Sequence, residues 1–300
     1  METWFNILGW VLSIATVAGN GFVVGIVAQT RRLHSTANWF VLSLAVADFG
    51  VGIIVYPLSY FCLSSIECNL KVYVALFWFF LHSSATNLCA LTWNRYFAIV
   101  HPFKYHTSMT ERRPGMVIMT AWLISFASAL SLLVGLYATQ SPTALKILRI
   151  LNISIFDIVS CALLLYAVVR ILIVARTQAS QMSELELNGR PTTETEALRR
   201  GRLRNTALFI IAIVVFFLGC YVVVSAVTLC VTFSSCQSSV AVGQTIVCLL
   251  TLNSAGNPLV YALLKRDMKR EVQRLFCRER SNEGFDTLNP SSRMRMSTAL

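Results

Sequence analysis

Long apolar stretches separated by short polar breaks recur along nearly the whole chain. Seven of them reach the roughly 20 residues that a helix, rising about 1.5 Å per residue, needs to cross a hydrocarbon layer about 30 Å thick. They fall at Phe5 to Ala28, Asn38 to Phe61, Leu70 to Val100, Gly115 to Tyr137, Ala144 to Ala175, Asn205 to Phe233 and Ser238 to Leu264. Backbone groups facing lipid must be bonded within their own segment or in a closed barrel, and the alternating pattern of barrel strands is absent. The expectation is all-α: a seven-transmembrane helix bundle.

Composition agrees, because 56% hydrophobic residues, 13% charged residues and a mean hydropathy of +0.64 do not describe a soluble domain of 300 residues. Charge adds orientation. Seven spans put the termini on opposite sides, and of the 25 Lys and Arg only Lys71, Lys146 and Arg149 lie on the amino-terminal side. The other 22 lie on the carboxy-terminal side, among them Arg31-Arg32, Arg112-Arg113, the run from Arg199 to Arg204 and those of the tail, so the positive-inside rule places the amino terminus outside. The net charge of +11 is then a topology signal, and no nucleic-acid partner is needed to explain it. Four residues precede the first span without a cleavage pattern, so that span reads as a retained anchor.

Between the fifth and sixth spans, Arg176 to Arg204 is polar and reads as a flexible cytosolic connector. After the seventh span, Arg266 to Cys277 sets Met268, Val272, Leu275 and Phe276 among Lys269, Arg270 and Arg274, the pattern of a short amphipathic eighth helix on the inner leaflet. Cys277 is a candidate for a lipid anchor or a free thiol at the interface. Residues 1–277 form one domain with the eighth helix included, and 278–300 read as a disordered cytosolic tail.

Four motifs stand at fixed places in this frame: Gly19-Asn20 in the first span, Leu44 to Asp48 in the second, Asn94-Arg95-Tyr96 at the end of the third, and Asn257-Pro258-Leu259-Val260-Tyr261 in the seventh. With Trp122 and Tyr166 they resemble, in order and placement, the rhodopsin-like (class A) G-protein-coupled receptors, over roughly Asn20 to Phe276. That resemblance implies a receptor that transmits an extracellular small-molecule, lipid or peptide ligand to a heterotrimeric G protein at the plasma membrane.

An ionised carboxylate in mid-membrane is expensive, so Asp48 must face the interior and find partners. By the resemblance these are Asn20, Ser84, Asn253, Ser254 and Asn257, and the pocket is either the family's sodium-binding site or a hydrogen-bonded polar core. Arg95, always charged and with five donors, is expected to hold neighbours at rest and to receive a G-protein helix once the sixth span swings out, with Tyr166 and Tyr261 closing over it. Plain snorkelling to the interface is the alternative. Asn94 stands where the family usually carries an acid, and Leu203 where an acidic partner often lies, so a weak latch and elevated basal activity are expected.

Activation in the family also uses an aromatic trigger and proline hinges. Phe217 and Tyr221 resemble the trigger, with Tyr in place of the usual Trp, and Pro258 keeps the seventh-span break. Val223 and Ile158 replace the usual prolines of the sixth and fifth spans, leaving Gly219 as a source of flexibility.

The family's usual bridge cannot form, because Leu70 occupies its first position and the loop from Ala138 to Lys146 has no Cys. Cys62 with Cys68, and Cys230 with Cys236, are each separated by five residues on the oxidising side. Each pair bridges locally if its Cα atoms approach within about 7 Å, and otherwise remains as free thiols. These departures resemble the melanocortin, adenosine and cannabinoid branch, although Leu58, Leu70, Val74 and Thr228 do not match those receptors' ligand-binding residues. Phe77 likewise fills the position where amine receptors carry Asp. A ligand pocket is expected from Phe77, Phe80, Leu81, Tyr221, Thr228 and Thr251, lined for a small or lipid-like ligand, or else these residues are bundle core. Asp157 is either a polar contact of that pocket or a partner of His82.

Competing classes find less support. A seven-helix transporter would need paired repeats with broken helices, and no internal repeat is evident. A retinal-linked receptor needs a Lys in the middle of the seventh span, and the nearest, Lys265, lies at its end. Four scattered His residues offer no convergent catalytic cluster and no cofactor beyond the possible sodium ion.

Overall fold

Unbroken apolar runs leave the backbone no partner but itself, and helix follows. The computed structural model describes residues 3–63, 68–108, 112–187, 194–233, 239–265 and 267–274. Its elements are α1 (Thr3–Gln29), a 3-10 turn (Arg31–Leu33), α2 (Thr36–Leu63), α3 (Leu70–Val100), α4 (Pro102–Ser108) and α5 (Arg112–Ala138). There follow α6 (Pro142–Asn152), a π-helical turn (Ile153–Ile158), α7 (Val159–Leu187), α8 (Glu194–Thr232) and α9 (Val240–Leu264). Among the described residues, seven helices are long and apolar enough to cross a membrane, with α6, the π turn and α7 together making the fifth, Pro142–Thr177. Among the described residues there is no strand.

At the centre, α3 packs on α2, α5 and α7; α1 packs on α2 and α9, and α8 on α7 and α9. Leu44, Leu81, Leu91, Val214 and Phe217 fill the middle of the bundle, while Ile7, Ile14, Met119, Leu123 and Phe126 turn outward. Lipid tails are as apolar as leucine, so close packing and internal polar contacts, rather than escape from water, hold such helices together. Gly50 provides one close approach: a Cβ there would collide with the Phe80 ring, and its absence draws that ring against α2.

Two helices contain an internal proline, Pro57 in α2 and Pro258 in α9. Pro258 has no N–H to give the carbonyl of Ser254 one turn earlier. Asn20 fills the gap, its Nδ2 donating to that carbonyl at 3.1 Å. Gly19, next to Asn20, lets the proline ring come close, since a Cβ there would stand 3.0 Å from Pro258 Cγ.

The flexible connector expected at Arg176 to Arg204 is corrected: α7 continues to Leu187 and α8 already begins at Glu194. Glu, Leu, Ala and Arg dominate these stretches, and extending an existing helix needs no new nucleus. Residues 267–274 are helical, with Met268 buried and Lys269, Arg270 and Arg274 exposed, as the amphipathic pattern requires. Cys277 and the tail at 278–300 lie outside the described residues.

Cys62 and Cys68 are bonded, with Cα atoms 5.1 Å apart. Cys230 is also in a disulfide, and its expected partner Cys236 lies outside the described residues. Leu70, where a bridging cysteine was missing, opens α3 beside a different tie. Asn69 caps α3 by accepting from Lys71 and Val72 N–H, at 3.2 and 3.3 Å, and donates to the Tyr137 hydroxyl at 2.7 Å. The Lys71 ammonium lies 4.4 Å from the Tyr137 ring centroid, a cation–π contact that also joins α3 to α5.

Candidate functional site

Asp48 is fully buried and accepts three hydrogen bonds: Ser84 Oγ at 2.6 Å, Ser254 Oγ at 2.7 Å and Asn257 Nδ2 at 2.6 Å. Bonds to a charged acceptor each contribute about 1.5–3 kcal/mol, which offsets part of the cost of leaving water. Asn20 reaches the cluster only through its bond to the Ser254 carbonyl, and Asn253 is buried beside it in sequence without joining the carboxylate. Asn20 Oδ1 is buried without a partner. Two serine hydroxyls converging on one carboxylate oxygen, with an orphaned amide oxygen close to the same helix crossing, form a set of hard oxygen donors. That donor chemistry fits a small hard cation such as sodium.

Away from the amino-terminal face, the third-span motif gathers a second cluster. Asn94 Oδ1 accepts from the Tyr105 hydroxyl of α4 at 3.2 Å. Arg95 Nε is buried without a hydrogen bond, and the guanidinium lies within electrostatic reach of Tyr105 and Asp267. Tyr166 does not cover Arg95: it is half exposed and its ring lies against that of Tyr96, centroids 6.0 Å apart. Tyr261 is buried. Lys265, just past the end of α9, is buried and donates to Asn38 Oδ1 at the start of α2.

Nearer the amino-terminal face, Phe217 and Tyr221 stack with centroids 4.1 Å apart, and the Tyr221 hydroxyl has no hydrogen-bond partner. Phe77, Leu81 and Thr251 are buried around them, and Thr228 bonds to the carbonyl of Val224 at 2.7 Å. Phe80 leaves this group for Gly50. Asp157, brought inward by the π turn, accepts from Ser225 Oγ at 3.1 Å through Oδ2, while Oδ1 has no partner. His82 is not its mate: the imidazole stacks on Phe156 at 4.0 Å and bonds to Ser128 Oγ at 3.1 Å. The pairing alternative for Asp157 is thereby corrected, because Phe156 and Ser128 occupy both the face and the edge of the ring.

Phe156, Ser128 and Ser225 had no signal in the sequence that set them apart from ordinary span residues. Trp122 did, as a family match: its indole N–H donates to Ser43 Oγ at 3.0 Å, which in turn donates to Asn87 Oδ1 at 2.6 Å, tying α5, α2 and α3.

Seven apolar helices around a buried carboxylate define a multi-pass membrane protein of the seven-span class. Residues 19–261 match the 7 transmembrane receptor (rhodopsin family), and the chain belongs to that family. Among curated relatives it is similar to Octopamine receptor beta-2R of Drosophila melanogaster, 25% identical over 341 aligned residues covering 92% of this chain and 64% of that receptor. It is also similar to the Alpha-2 adrenergic receptor of Labrus ossifagus, 32% identical over 200 residues, or 62% of this chain and 46% of the relative. The D(3) dopamine receptor of Mus musculus is 34% identical over 147 residues, 45% of this chain and 32% of its own length. The chain thus spans less than two thirds of each. All three are named for amines, whereas the sequence motifs had pointed toward the melanocortin, adenosine and cannabinoid branch.

Proposed function

We propose that the chain is a G-protein-coupled receptor of the plasma membrane, its amino terminus outside, passing the binding of an extracellular ligand to a heterotrimeric G protein. The observation that carries this reading is the convergence of α2, α3 and α9 on Asp48, with α1 joined through Asn20. One carboxylate is shared by α3, which carries Arg95, and α9, which carries Tyr261, so movement of either helix at Asp48 reaches the other.

Asp48, the hydroxyls of Ser84 and Ser254, and Asn20 Oδ1 are the groups that would hold a sodium ion. Bound there, the ion supplies positive charge that favours the present arrangement of helices. Arg95, flanked by Asn94 and Tyr96 and with Tyr261 on α9, marks the G-protein face; its unpaired Nε, buried here, gives a docking carbonyl or carboxylate a donor once the sixth span moves aside.

For the ligand, the buried, unpartnered Oδ1 of Asp157, within electrostatic reach of Tyr221, calls for a small molecule with an aromatic or apolar body and a hydrogen-bond donor. Because the relatives are named as octopamine, alpha-2 adrenergic and dopamine receptors, a protonated amine is the first class to test, held at Asp157 since Phe77 offers it no charge. The decisive experiment is nucleotide exchange on a panel of heterotrimers by the full chain in lipid nanodiscs, with and without octopamine. Exchange above empty nanodiscs that disappears in Arg95→Ala supports the reading. Silence on every heterotrimer, together with solute flux in sealed vesicles, would point to a transporter instead.

A further inference from the structure

A cavity of about 580 Å³ opens at the amino-terminal face among α1, α2, α3 and α9. Phe5, Ser59, Tyr73, Gly243, Gln244 and Val247 line it, and Cys62 brings the disulfide to its wall. It shares no residue with the cluster of Phe77, Tyr221 and Thr251. Apolar surface dominates, and none of its described lining residues is ionised.

One side chain in that wall lacks what its chemistry requires. Gln244 is 5% exposed, and neither its Nε2 nor its Oε1 has a hydrogen-bond partner. A primary amide has two N–H donors and a carbonyl with two lone pairs, and burying it unpaired gives up water for nothing. Among the described lining residues, Gln244 alone has buried polar atoms without a partner. The missing partners are therefore those of one amide: an acceptor and a donor, side by side and uncharged.

We propose that this cavity binds an uncharged ligand carrying an N–H and a C=O next to each other, a carboxamide or lactam, on an apolar body. The ligand's two groups pair head to head with the Gln244 amide, and its body lies against Phe5, Tyr73 and Val247. Rotation about the last side-chain torsion of Gln244, a soft one, turns the amide onto the ligand. A charged ligand would leave water for a wall without a counter-charge among its described residues, and is rejected. Tyr73 also touches Phe77, their ring centroids 5.8 Å apart, so occupancy is felt one turn deeper in the central cluster. That last consequence rests on the receptor reading; the binding does not.

The test uses 3-phenylpropanamide as probe, with methyl 3-phenylpropanoate and the 3-phenylpropanoate anion as matched controls. Binding to the full chain in nanodiscs is read by saturation-transfer NMR. The amide is expected to bind at least tenfold more tightly than either control, and Gln244→Leu to erase that preference. Gly243→Leu is the second variant: a Cβ at Gly243 meets nothing within 4 Å, so the new side chain fills the cavity without a collision and abolishes binding of the amide. Equal binding of amide and ester by the wild type overturns the proposal. So does a preference that survives Gln244→Leu, or amide binding that survives Gly243→Leu, in a variant that melts as the wild type does. If neither variant folds, the wild-type comparison of amide and ester decides alone. No G protein enters the assay, so failure of the receptor reading and failure of this site are seen separately.

Discussion

Asn20 donates its side-chain amide to the one backbone carbonyl that Pro258 strands, that of Ser254, at 3.1 Å. The proline breaks the ladder of α9 and a neighbouring helix mends it, so the kink and the α1–α9 contact depend on each other. Replacing Asn20 by Val leaves the carbonyl buried and unbonded, which costs about 1–3 kcal/mol. In a Pro258→Ala background the restored N–H takes the carbonyl, and the same Asn20→Val change is expected to cost less. Thermal melting of the two single variants and the double variant measures the coupling; strictly additive losses would refute the relationship.

Asp48 gathers three donors on one carboxylate. If sodium is held there, the melting temperature of the wild type in nanodiscs rises when potassium is replaced by sodium at constant ionic strength. Asp48→Asn removes the charge, keeps the shape, and is expected to melt alike in both salts. A sodium shift that persists in Asp48→Asn removes the ion from this pocket.

Asn94 is bonded to Tyr105 and places no charge beside Arg95. Asn94→Asp puts a carboxylate at a buried position next in sequence to Arg95, where the cost of burying it offsets much of the attraction, and a net gain on the order of 1 kcal/mol is expected. Ligand-free nucleotide exchange should then fall about fivefold, that free energy read as a ratio. Unchanged or higher exchange would show that the resting latch is made elsewhere.

Lys265 supplies the pH dependence. Burial, and secondarily the nearby charge of Arg95, lowers its pKa from the ordinary 10.5 to about 7, against the opposing pull of Asp267. The folded value lies below the unfolded one, so from about pH 7 upward the unfolded chain holds the proton that the folded chain has lost. Stability therefore rises with pH between about 7 and 10.5, and below pH 7 both states are protonated and the slope vanishes. Melting curves of the wild type and Lys265→Met from pH 6 to 9 should show the wild type gaining on the variant above pH 7. A difference that stays constant with pH would mean that this lysine keeps its charge.

Much of the frame was legible because membrane spans are written in hydropathy alone. All seven apolar stretches became helices crossing the bundle, with ends differing by several residues where polar helix formers carried the helix onward, as at Leu187 and Glu194. Three of the partners expected for Asp48, namely Ser84, Ser254 and Asn257, do contact it, because a mid-membrane charge has few ways to be satisfied. Side-chain direction was less legible. Tyr166 turned to Tyr96 and Phe80 to Gly50, choices made by neighbours on other helices rather than by position in the chain. Gln244 was overlooked, since a single amide near the start of a helix looks like ordinary surface until the walls around it are seen.

The π turn at Ile153–Ile158 changes how positions along the fifth span are counted. Such a turn holds one residue more than the α-helix it interrupts, so the numbering on its two sides is out of phase by a single step. Counting back from Tyr166 with a uniform period therefore mislabels every residue of α6, and an alignment that equates fifth-span positions by sequence distance would attribute to Asp157 a neighbour's orientation. Deleting one residue from 153–158 would put the upper half back in phase and rotate its inward face by about 100°.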